Sequence, residues 1–265
     1  SEGVLYSEVT FGPQYLLKFN NIQLRTIYNG YWKGILKAKK QVGIQGELIL
    51  TFDRGFSEEE AIAIITDTEE LLKELRKQAK EGEEPIRIIG VGLACQEKGN
   101  PPEKFQKAYA LAKSLGYRLV SHVCEEEGTP IEYVDQAIDL LNVERFDHGI
   151  QCYKSQSALE KIKEKKIGLA VGPISNIKLK VFKDLSELPI KKYIDEGLLI
   201  SLNSDDPAAF MSYIGDNYYQ VVKTFDLGLK EIAILAMNSF ETAFISDKMK
   251  EEYQKMVKEY VQKLS

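Results

Sequence analysis

A chain of 265 residues with 44% hydrophobic and 28% charged side chains is long enough to bury a full core and has the composition of an ordinary globular protein. The formal net charge of −5 and the lack of a basic run with interleaved aromatic residues argue against a protein that coats nucleic acid. No apolar run reaches the roughly 20 residues that a membrane span needs, and the sequence shows no signal-peptide pattern. We therefore expect neither nucleic acid nor membrane as a partner.

The cysteines and histidines are few. The three cysteines are widely spaced and form no CxxC pair: Cys95, Cys124 and Cys152. A disulfide framework needs paired cysteines in an oxidising compartment, so we expect free thiols and a cytoplasmic protein. The two histidines, His122 and His148, confine any role of an imidazole to two positions.

Short β-branched or apolar runs alternate along the chain with longer amphipathic stretches. The runs predict seven strands, at residues 4–9, 47–52, 86–93, 117–123, 144–148, 167–171 and 198–203. The stretches between them predict helices near residues 22–41, 57–80, 102–115, 131–142, 155–165, 187–196 and 207–225. The tail after residue 228 predicts two more helices with a charged solvent face. No low-complexity linker interrupts the series, so we expect a single domain over residues 1–265.

The alternation of strands and helices predicts βαβ crossovers and a parallel sheet in an α/β fold. A doubly wound open sheet would favour a Gly-rich phosphate-binding turn after an early strand, and the sequence has none. We therefore expect a (β/α)8 TIM-type barrel with extra C-terminal helices. Because the chain is strand-like from its start and shows seven strand–helix units, we expect an N-terminally incomplete barrel without its first unit.

Polar side chains follow the predicted strands at their carboxyl ends, where (β/α) barrels hold their ligands. Taken strand by strand, the polar side chains are Gln14, after Pro13, and Asp53, Glu97, His122, Cys124, Glu125, His148, Ser175, Asn176, Asp205 and Asp206. Both histidines of the chain belong to this set. A closed barrel brings these strand ends round one mouth, so the pattern predicts a shared site.

Two of these clusters have a purely structural alternative. The CEEEG run at 124–128 suits the first turn of a helix, where carboxylates meet the positive end of the helix dipole, and we assign Glu126 and Glu127 to that role. Asp205 or Asp206 fits the cap of a helix with Pro207 in its first turn. One aspartate is enough for a cap, so the pair indicates a second role.

Four motifs follow one another in the chain: His122-Val-Cys-Glu125, VERFDHGI (143–150), VGPISNIKLKVF (171–182) and SLNSDDPAAF (201–210). In this order they resemble the motifs of the adenosine/adenine deaminases, which belong to the metal-dependent amidohydrolase superfamily. The first resembles the family's His-Ala-Gly-Glu motif, and VLYSEVTFGPQYLL (4–17) resembles its second-strand region. GVGLACQEKGNPPEKF (90–105) is more similar to the adenine deaminase branch than to the adenosine branch.

The resemblance implies zinc-dependent hydrolytic deamination of a 6-aminopurine, with adenine going to hypoxanthine and ammonia. It implies one zinc ion per chain, which lowers the pKa of a bound water towards ~7. By motif position, His122 and Asp205 are the metal ligands, and Glu125 and His148 are the catalytic residues. The residues implied in substrate binding are Asp206, Glu97, Gly92, Ser175 and Asn176.

Departures from the family pattern leave other functions open. The family's first strand carries a His-x-His pair that supplies two further zinc ligands, and this sequence has no such pair. Val123 and Cys124 replace the small Ala-Gly of the first motif, and Ala94 replaces an aspartate near the expected base pocket. The alternatives are a deaminase of adenosine or a modified adenosine, and a metal-free homologue without catalysis. The expected partner is a small-molecule purine, and the pattern leaves a homo-oligomer open.

Overall fold

The computed structural model describes residues 2–82 and 84–264 of the chain. Its contacts divide the chain into two compact units. The first comprises the residues up to Val120 together with Asp139–Asn142, and the second comprises Ser121–Ile138 and the chain from Val143 onward. The prediction of a single domain stays a prediction.

In the first unit, strands and helices alternate and the strands are parallel. The strands are β1 (Tyr6–Phe11), β2 (Gln45–Asp53), β3 (Ile88–Ala94) and the start of β4 (Arg118–Val123), each paired with the strand before it in the chain. The helices are α1 (Gln14–Lys18), α2 (Leu24–Val42), α3 (Glu58–Gln78) and α4 (Gln106–Ser114), the last preceded by a 3₁₀ turn at Pro102–Phe105.

The strand β2 is buried without interruption from Glu47 to Phe52. Since successive side chains of a strand point to opposite faces, both faces of the sheet are covered at this strand. The following helix, α3, begins at a capping box in which Ser57 accepts a hydrogen bond from the Glu60 N–H and the Glu60 carboxylate accepts one from the Ser57 N–H.

The second unit continues the same alternation. Its strands are the end of β4, β5 (Arg145–His148), β6 (Gly168–Val171) and β7 (Ile200–Leu202), and β5, β6 and β7 pair in parallel. Its helices are α5 (Glu132–Asp135), α6 (Gln156–Glu164), α7 (Pro173–Lys178), α8 (Ile190–Asp195), α9 (Pro207–Phe210), α10 (Ile214–Phe225), α11 (Leu229–Glu241) and α12 (Asp247–Leu264). A π-helical turn, Gln136–Leu140, follows α5, and 3₁₀ turns lie at Cys152–Lys154 and Leu185–Glu187.

Strands lie at all seven predicted places, and they pair in the order of the chain. The predicted α/β class is therefore confirmed, as are the two helices of the tail. The prediction of one helix over 207–225 is wrong, because Met211 has a left-handed backbone (φ 50°) that separates α9 from α10. A new helix starts where the Asp216 carboxylate accepts a hydrogen bond from the Tyr213 N–H at 2.9 Å. In the described part of the chain, no helix has the length and apolarity that crossing a membrane requires.

Candidate active site

The carboxyl end of β4 carries His122 and leads directly into Glu125. Backbone hydrogen bonds fix this end to the loop after β5: Gly149 N–H donates to the Val123 carbonyl at 2.9 Å, and Gln151 N–H donates to the Cys124 carbonyl at 2.8 Å. Cys124 itself has a left-handed backbone (φ 51°), so the chain turns sharply between the two predicted site residues. The two carboxyl ends, of β4 and β5, are thereby held side by side.

His148 sits in a tight turn at the end of β5. It is 4% exposed and has a φ of 71°, and Gly149 after it has a φ of 66°. The buried Tyr193 hydroxyl lies 3.0 Å from the Gly149 carbonyl oxygen and 3.3 Å from that of Ile150. Left-handed residues cost free energy and persist where surrounding contacts hold them, so this turn has a fixed shape.

The His148 ring lies close to side chains from two other motifs. Its Nε2 atom lies 3.5 Å from Glu125 Oε2 and 3.8 Å from Asp205 Oδ2. Its ring centroid lies 4.9 Å from that of His122. The structure therefore brings both histidines, the predicted catalytic glutamate and the first aspartate of the Asp-Asp pair together within the second unit.

The short helix α7 adds two polar side chains to this cluster. Ser175 Oγ donates a hydrogen bond to Asp205 Oδ2 at 2.6 Å. Asn176 Nδ2 lies 3.4 Å from Glu125 Oε1 and 3.3 Å from His148 Nδ1. Ser175 and Asn176 are both buried, and these contacts join them to the other site residues. Their predicted role in substrate binding stays a prediction.

Asp205 and Asp206 occupy different surroundings although they are adjacent. Asp205 has a φ of 55°, which turns its carboxylate towards Ser175 and His148. Asp206 occupies the position before α9, with Pro207 in the first turn as predicted, but its side chain makes no capping hydrogen bond. Burial first, and the neighbouring Asp205 charge second, raise the pKa of Asp206, while His148 opposes the rise.

The side chains of the site can be compared with the ligands that the zinc ion implied by the resemblance would need. Catalytic zinc takes three or more protein ligands of the histidine, cysteine or carboxylate type. His122 and Asp205 have the right chemistry, and Asp147 Oδ2, 3.7 Å from His122 Nδ1, can orient the His122 ring. Among residues 2–82 and 84–264, however, no group of three or more such side chains is arranged to hold a metal. The described residues alone do not fit a complete zinc site.

Two of the predicted substrate-binding residues, Glu97 and Gly92, belong to the first unit. Glu97 is 2% exposed, in the loop after β3. A Cβ at Gly92 would lie 3.0 Å from Thr51 Oγ1 and 3.1 Å from Val120 Cγ2, so close packing alone accounts for a glycine there. Their role in binding a base stays a prediction.

The structure also reveals side chains that the sequence argument did not use. Asp147 lies between His122 and Arg145, with its Oδ2 atom 3.7 Å from His122 Nδ1 and its Oδ1 atom 3.5 Å from Arg145 Nε. Its position directly before His148 in the VERFDHGI motif could have indicated that it belongs to the site. Tyr193 holds the turn after β5 from a helix more than forty residues away in the chain, and nothing in its local sequence indicates this.

Comparison with known proteins gives one family over almost the whole chain. The adenosine deaminase family matches residues 1–260. An adenine deaminase of Geotalea uraniireducens is 37% identical over 263 residues, which cover 98% of this chain and 69% of that protein. The solved structure of an adenine deaminase from Arthrobacter aurescens superposes with a TM-score of 0.88 at 33% identity, covering 98% of this chain and 75% of that one. A zinc-bound amidohydrolase from Burkholderia ambifaria shares the fold, with a TM-score of 0.84 at 24% identity over 98% of this chain and 68% of that one.

Proposed function

Because the chain belongs to the adenosine deaminase family, we propose that it catalyses the hydrolytic deamination of adenine to hypoxanthine and ammonia. The adenine deaminases of Geotalea uraniireducens and Arthrobacter aurescens, at 37% and 33% identity, support adenine rather than adenosine as the substrate. The stretch at 90–105, which resembles the adenine branch, supports the same choice.

The observation that carries the proposal is the position of His148 Nε2. Carboxylate oxygens of Glu125 and Asp205, from two other family motifs, lie 3.5 and 3.8 Å from this one nitrogen. Deamination needs a group that moves a proton to the purine ring and a group that holds the attacking water, and both must reach one reacting carbon. An imidazole beside two carboxylates supplies groups of the required kinds.

In the proposed reaction, water adds to the amino-bearing carbon of the ring, the bond to the exocyclic nitrogen breaks, and ammonia leaves. Glu125 gives a proton to a ring nitrogen, which makes the carbon more electrophilic, and acts as the general acid and base. Of the two protons of the water, one goes to the amino nitrogen, which leaves as ammonia, and the other returns to Glu125. His148 orients the water and stabilises the charge that develops on its oxygen. Asp206 accepts a hydrogen bond from a purine N–H, and we assign the remaining contacts with the base to Glu97, Gly92 and Ser175. Asn176, whose Nδ2 contacts Glu125 and His148, serves the substrate site through those two side chains.

Zinc dependence is part of the proposal and rests on the family. We assign His122 and Asp205 as two of its ligands because their side chains are of types that zinc accepts. Since the described residues form no group of three or more side chains that could hold a metal, the test must supply zinc and measure its content. We further propose a small-molecule purine as the partner of the site and a cytoplasmic location.

A spectrophotometric assay of the chain with added zinc tests the activity. Adenine, adenosine and N6-methylated adenosine are compared at equal concentration, and we expect kcat/KM for adenine to exceed that for either nucleoside at least about tenfold. A preference for a nucleoside would shift the assignment to the adenosine branch. Absence of turnover of every aminopurine, with zinc content verified, would overturn the proposal and favour a non-catalytic homologue.

A pair of glutamate variants separates the general acid from its neighbours in the sequence. Glu125→Gln keeps the shape of the side chain and removes its proton transfer, so kcat is expected to fall by about 10²- to 10⁴-fold. Glu127→Gln is the matched control, because Glu127 is exposed and two residues away. Equal losses in the two variants would show that Glu125 has no special role.

A further inference from the structure

Asn176 is held rigidly at the centre of the polar cluster. It is fully buried, at 0% exposure. Its backbone N–H donates to the Gly172 carbonyl at 3.0 Å, and its carbonyl accepts from the Val181 N–H at 2.9 Å. The backbone is therefore fixed at both polar groups, and the carboxamide projects from a defined position on α7.

The neighbours of the carboxamide determine which of its ends faces the cluster. Its Nδ2 atom lies 3.4 Å from Glu125 Oε1 and 3.3 Å from His148 Nδ1. In the structure the amide nitrogen is the donor to Glu125 Oε1, which is the arrangement that an ionised carboxylate requires because it only accepts hydrogen bonds. The reverse orientation would set the amide oxygen against the Glu125 carboxylate.

This orientation has a consequence for His148. A ring nitrogen that accepts a hydrogen bond carries no proton, and the proton of a neutral imidazole then resides on the other nitrogen. We propose that Asn176 is a positioning residue that holds the proton of neutral His148 on Nε2, so that the ring N–H points towards Glu125 Oε2 and Asp205 Oδ2. The inference rests on the proposed function only in giving this N–H a catalytic use, since the tautomer itself follows from the contacts.

The inference deepens the role of His148 in the proposed reaction. With Nδ1 accepting a hydrogen bond from Asn176, the ring turns an N–H donor, and not an acceptor, towards Glu125 and Asp205. In this form His148 stabilises negative charge on an oxygen in front of it and cannot take a proton from water. Asn176 thus acts through His148 and Glu125, both of which its single Nδ2 group contacts.

The tautomer can be read directly, because the chain has only two histidines. The protein is prepared with ¹⁵N-labelled histidine and without a histidine tag, and long-range ¹H–¹⁵N spectra are recorded at alkaline pH, about two units above the ordinary histidine pKa of about 6.5. The His122→Gln variant leaves a single set of signals and assigns it to His148. We expect Nε2 in the range of a protonated ring nitrogen and Nδ1 in that of an unprotonated one. The opposite assignment in the unmutated chain would overturn the inference.

Two variants test whether Asn176 is the cause. Asn176→Ala removes the donor by shortening the side chain, and we expect His148 to become a mixture of tautomers. Asn176→Asp keeps the shape and replaces the donor by an acceptor, so we expect the Nδ1-protonated form to become the major one. Asn238→Ala is the matched control, because the Asn238 carboxamide contacts backbone carbonyls beside β7 and its loss should leave the tautomer unchanged. Persistence of the pure Nε2-protonated form in either Asn176 variant would show that another group fixes it.

A parallel assay with adenine distinguishes failure of this inference from failure of the proposed function. If the chain deaminates adenine, Asn176→Ala is expected to lower kcat about ten- to a hundredfold with little change in KM, as typically follows loss of a group that orients a reacting side chain. If it does not, the spectra still decide the tautomer, because they need no turnover. A kcat unchanged in an active chain would contradict the catalytic use of the N–H.

Discussion

Asp205 and Asp206 are adjacent in the sequence, yet their carboxylates have different surroundings. The Asp205 carboxylate accepts a hydrogen bond from Ser175 and lies 3.8 Å from His148 Nε2. Asp206 has a raised pKa, chiefly because it is partly buried and secondly because Asp205 repels it. When folding raises the pKa of a carboxyl group, the folded state becomes less stable as the pH rises above the pKa of that group in the unfolded chain. At neutral pH the charge on Asp206 is therefore unfavourable for folding.

Replacing Asp206 by asparagine is therefore expected to stabilise the chain and to impair its function. At pH 7 the Tm should rise by about 2 °C, a small effect because the group remains partly in water. Turnover of adenine should fall in the same variant, because the acceptor for the purine N–H is lost. Thermal unfolding followed by circular dichroism measures the first effect. Asp67→Asn on the exposed face of α3 is the control, and a Tm for Asp206→Asn at or below that of the unmutated chain would contradict the assignment.

Cys95 is exposed, but we expect its thiol to react slowly. Cys95 has a left-handed backbone (φ 69°), and burial of the thiol first and the Asp53 carboxylate second raise its pKa to about 11. The thiolate is the reactive form, so at pH 8 alkylation of Cys95 by iodoacetamide should be about a hundredfold slower than that of an ordinary thiol with a pKa of about 8.5. The rate should increase about tenfold per pH unit up to about pH 10.

Asp53→Asn provides the internal comparison for this thiol. Removing the Asp53 charge should lower the pKa of Cys95 and speed alkylation at pH 8, as followed by mass spectrometry of the labelled peptide. Cys124 and Cys152 are buried and should remain unlabelled in the folded chain. Rapid labelling of Cys95 at pH 8 in the unmutated chain would be inconsistent with the raised pKa.

The site depends on the backbone of the turn that joins β5 to the following 3₁₀ turn. His148 and Gly149 both have positive φ values, and the Tyr193 hydroxyl lies within hydrogen-bonding distance of the carbonyls of Gly149 and Ile150. A Cβ at Gly149 would come within 2.8 Å of Leu169 Cδ2, and Leu169 is fully buried. The position therefore needs glycine both for its φ and for space.

A pair of glycine-to-alanine variants separates these two requirements. Gly43, the residue that ends α2, also has a positive φ, of 77°, but a Cβ there would meet no atom within 4 Å. Gly43→Ala should cost about 1 kcal/mol for the left-handed backbone alone, and Gly149→Ala about 2–4 kcal/mol because packing strain adds to it. Urea unfolding of the two variants gives the difference. Equal losses would mean that Leu169 moves aside without cost.

At the scale of the whole molecule, the sequence predicts the order of strands well because that order depends on a strong local signal. Buried runs such as Glu47–Phe52 are continuous in the sequence and in the structure. The convergence of His122, Glu125, His148 and Asp205 could also be predicted, since parallel strands joined by helices bring their carboxyl ends to one edge. The comparison confirms the family that the motifs resemble, and the chemical roles of the residues in them stay predictions.

Two details that the sequence did not predict are the helix break at Met211 and the partners of Asn176. The break at Met211 follows from one left-handed residue in a stretch whose side chains suit a continuous helix. The choice of Asn176 as the partner of both Glu125 and His148 depends on how the six residues of α7 are oriented against two other loops. No periodicity or motif spacing carries that information.

Zinc binding is a property of the whole molecule, because it depends on which donor side chains the fold brings together. With His122 and Asp205 as the candidate donors and no group of three within residues 2–82 and 84–264, the purified chain should lose zinc on dialysis against a chelator. Returning zinc at 100-fold excess over its dissociation constant should stabilise the chain by about 2.7 kcal/mol. Metal analysis and thermal unfolding with and without zinc measure the two effects.

The assignment of the ligands predicts which substitutions remove this response. His122→Ala and Asp205→Ala should each abolish the rise of Tm with zinc, because a single remaining donor binds the ion too weakly. Asp206→Ala is the matched control, since it removes the neighbouring carboxylate and should leave the zinc response in place. Zinc that survives dialysis at one ion per chain would reveal a third donor. A full response in Asp205→Ala would assign the metal to other side chains and leave Asp205 as the acceptor of the Ser175 hydroxyl.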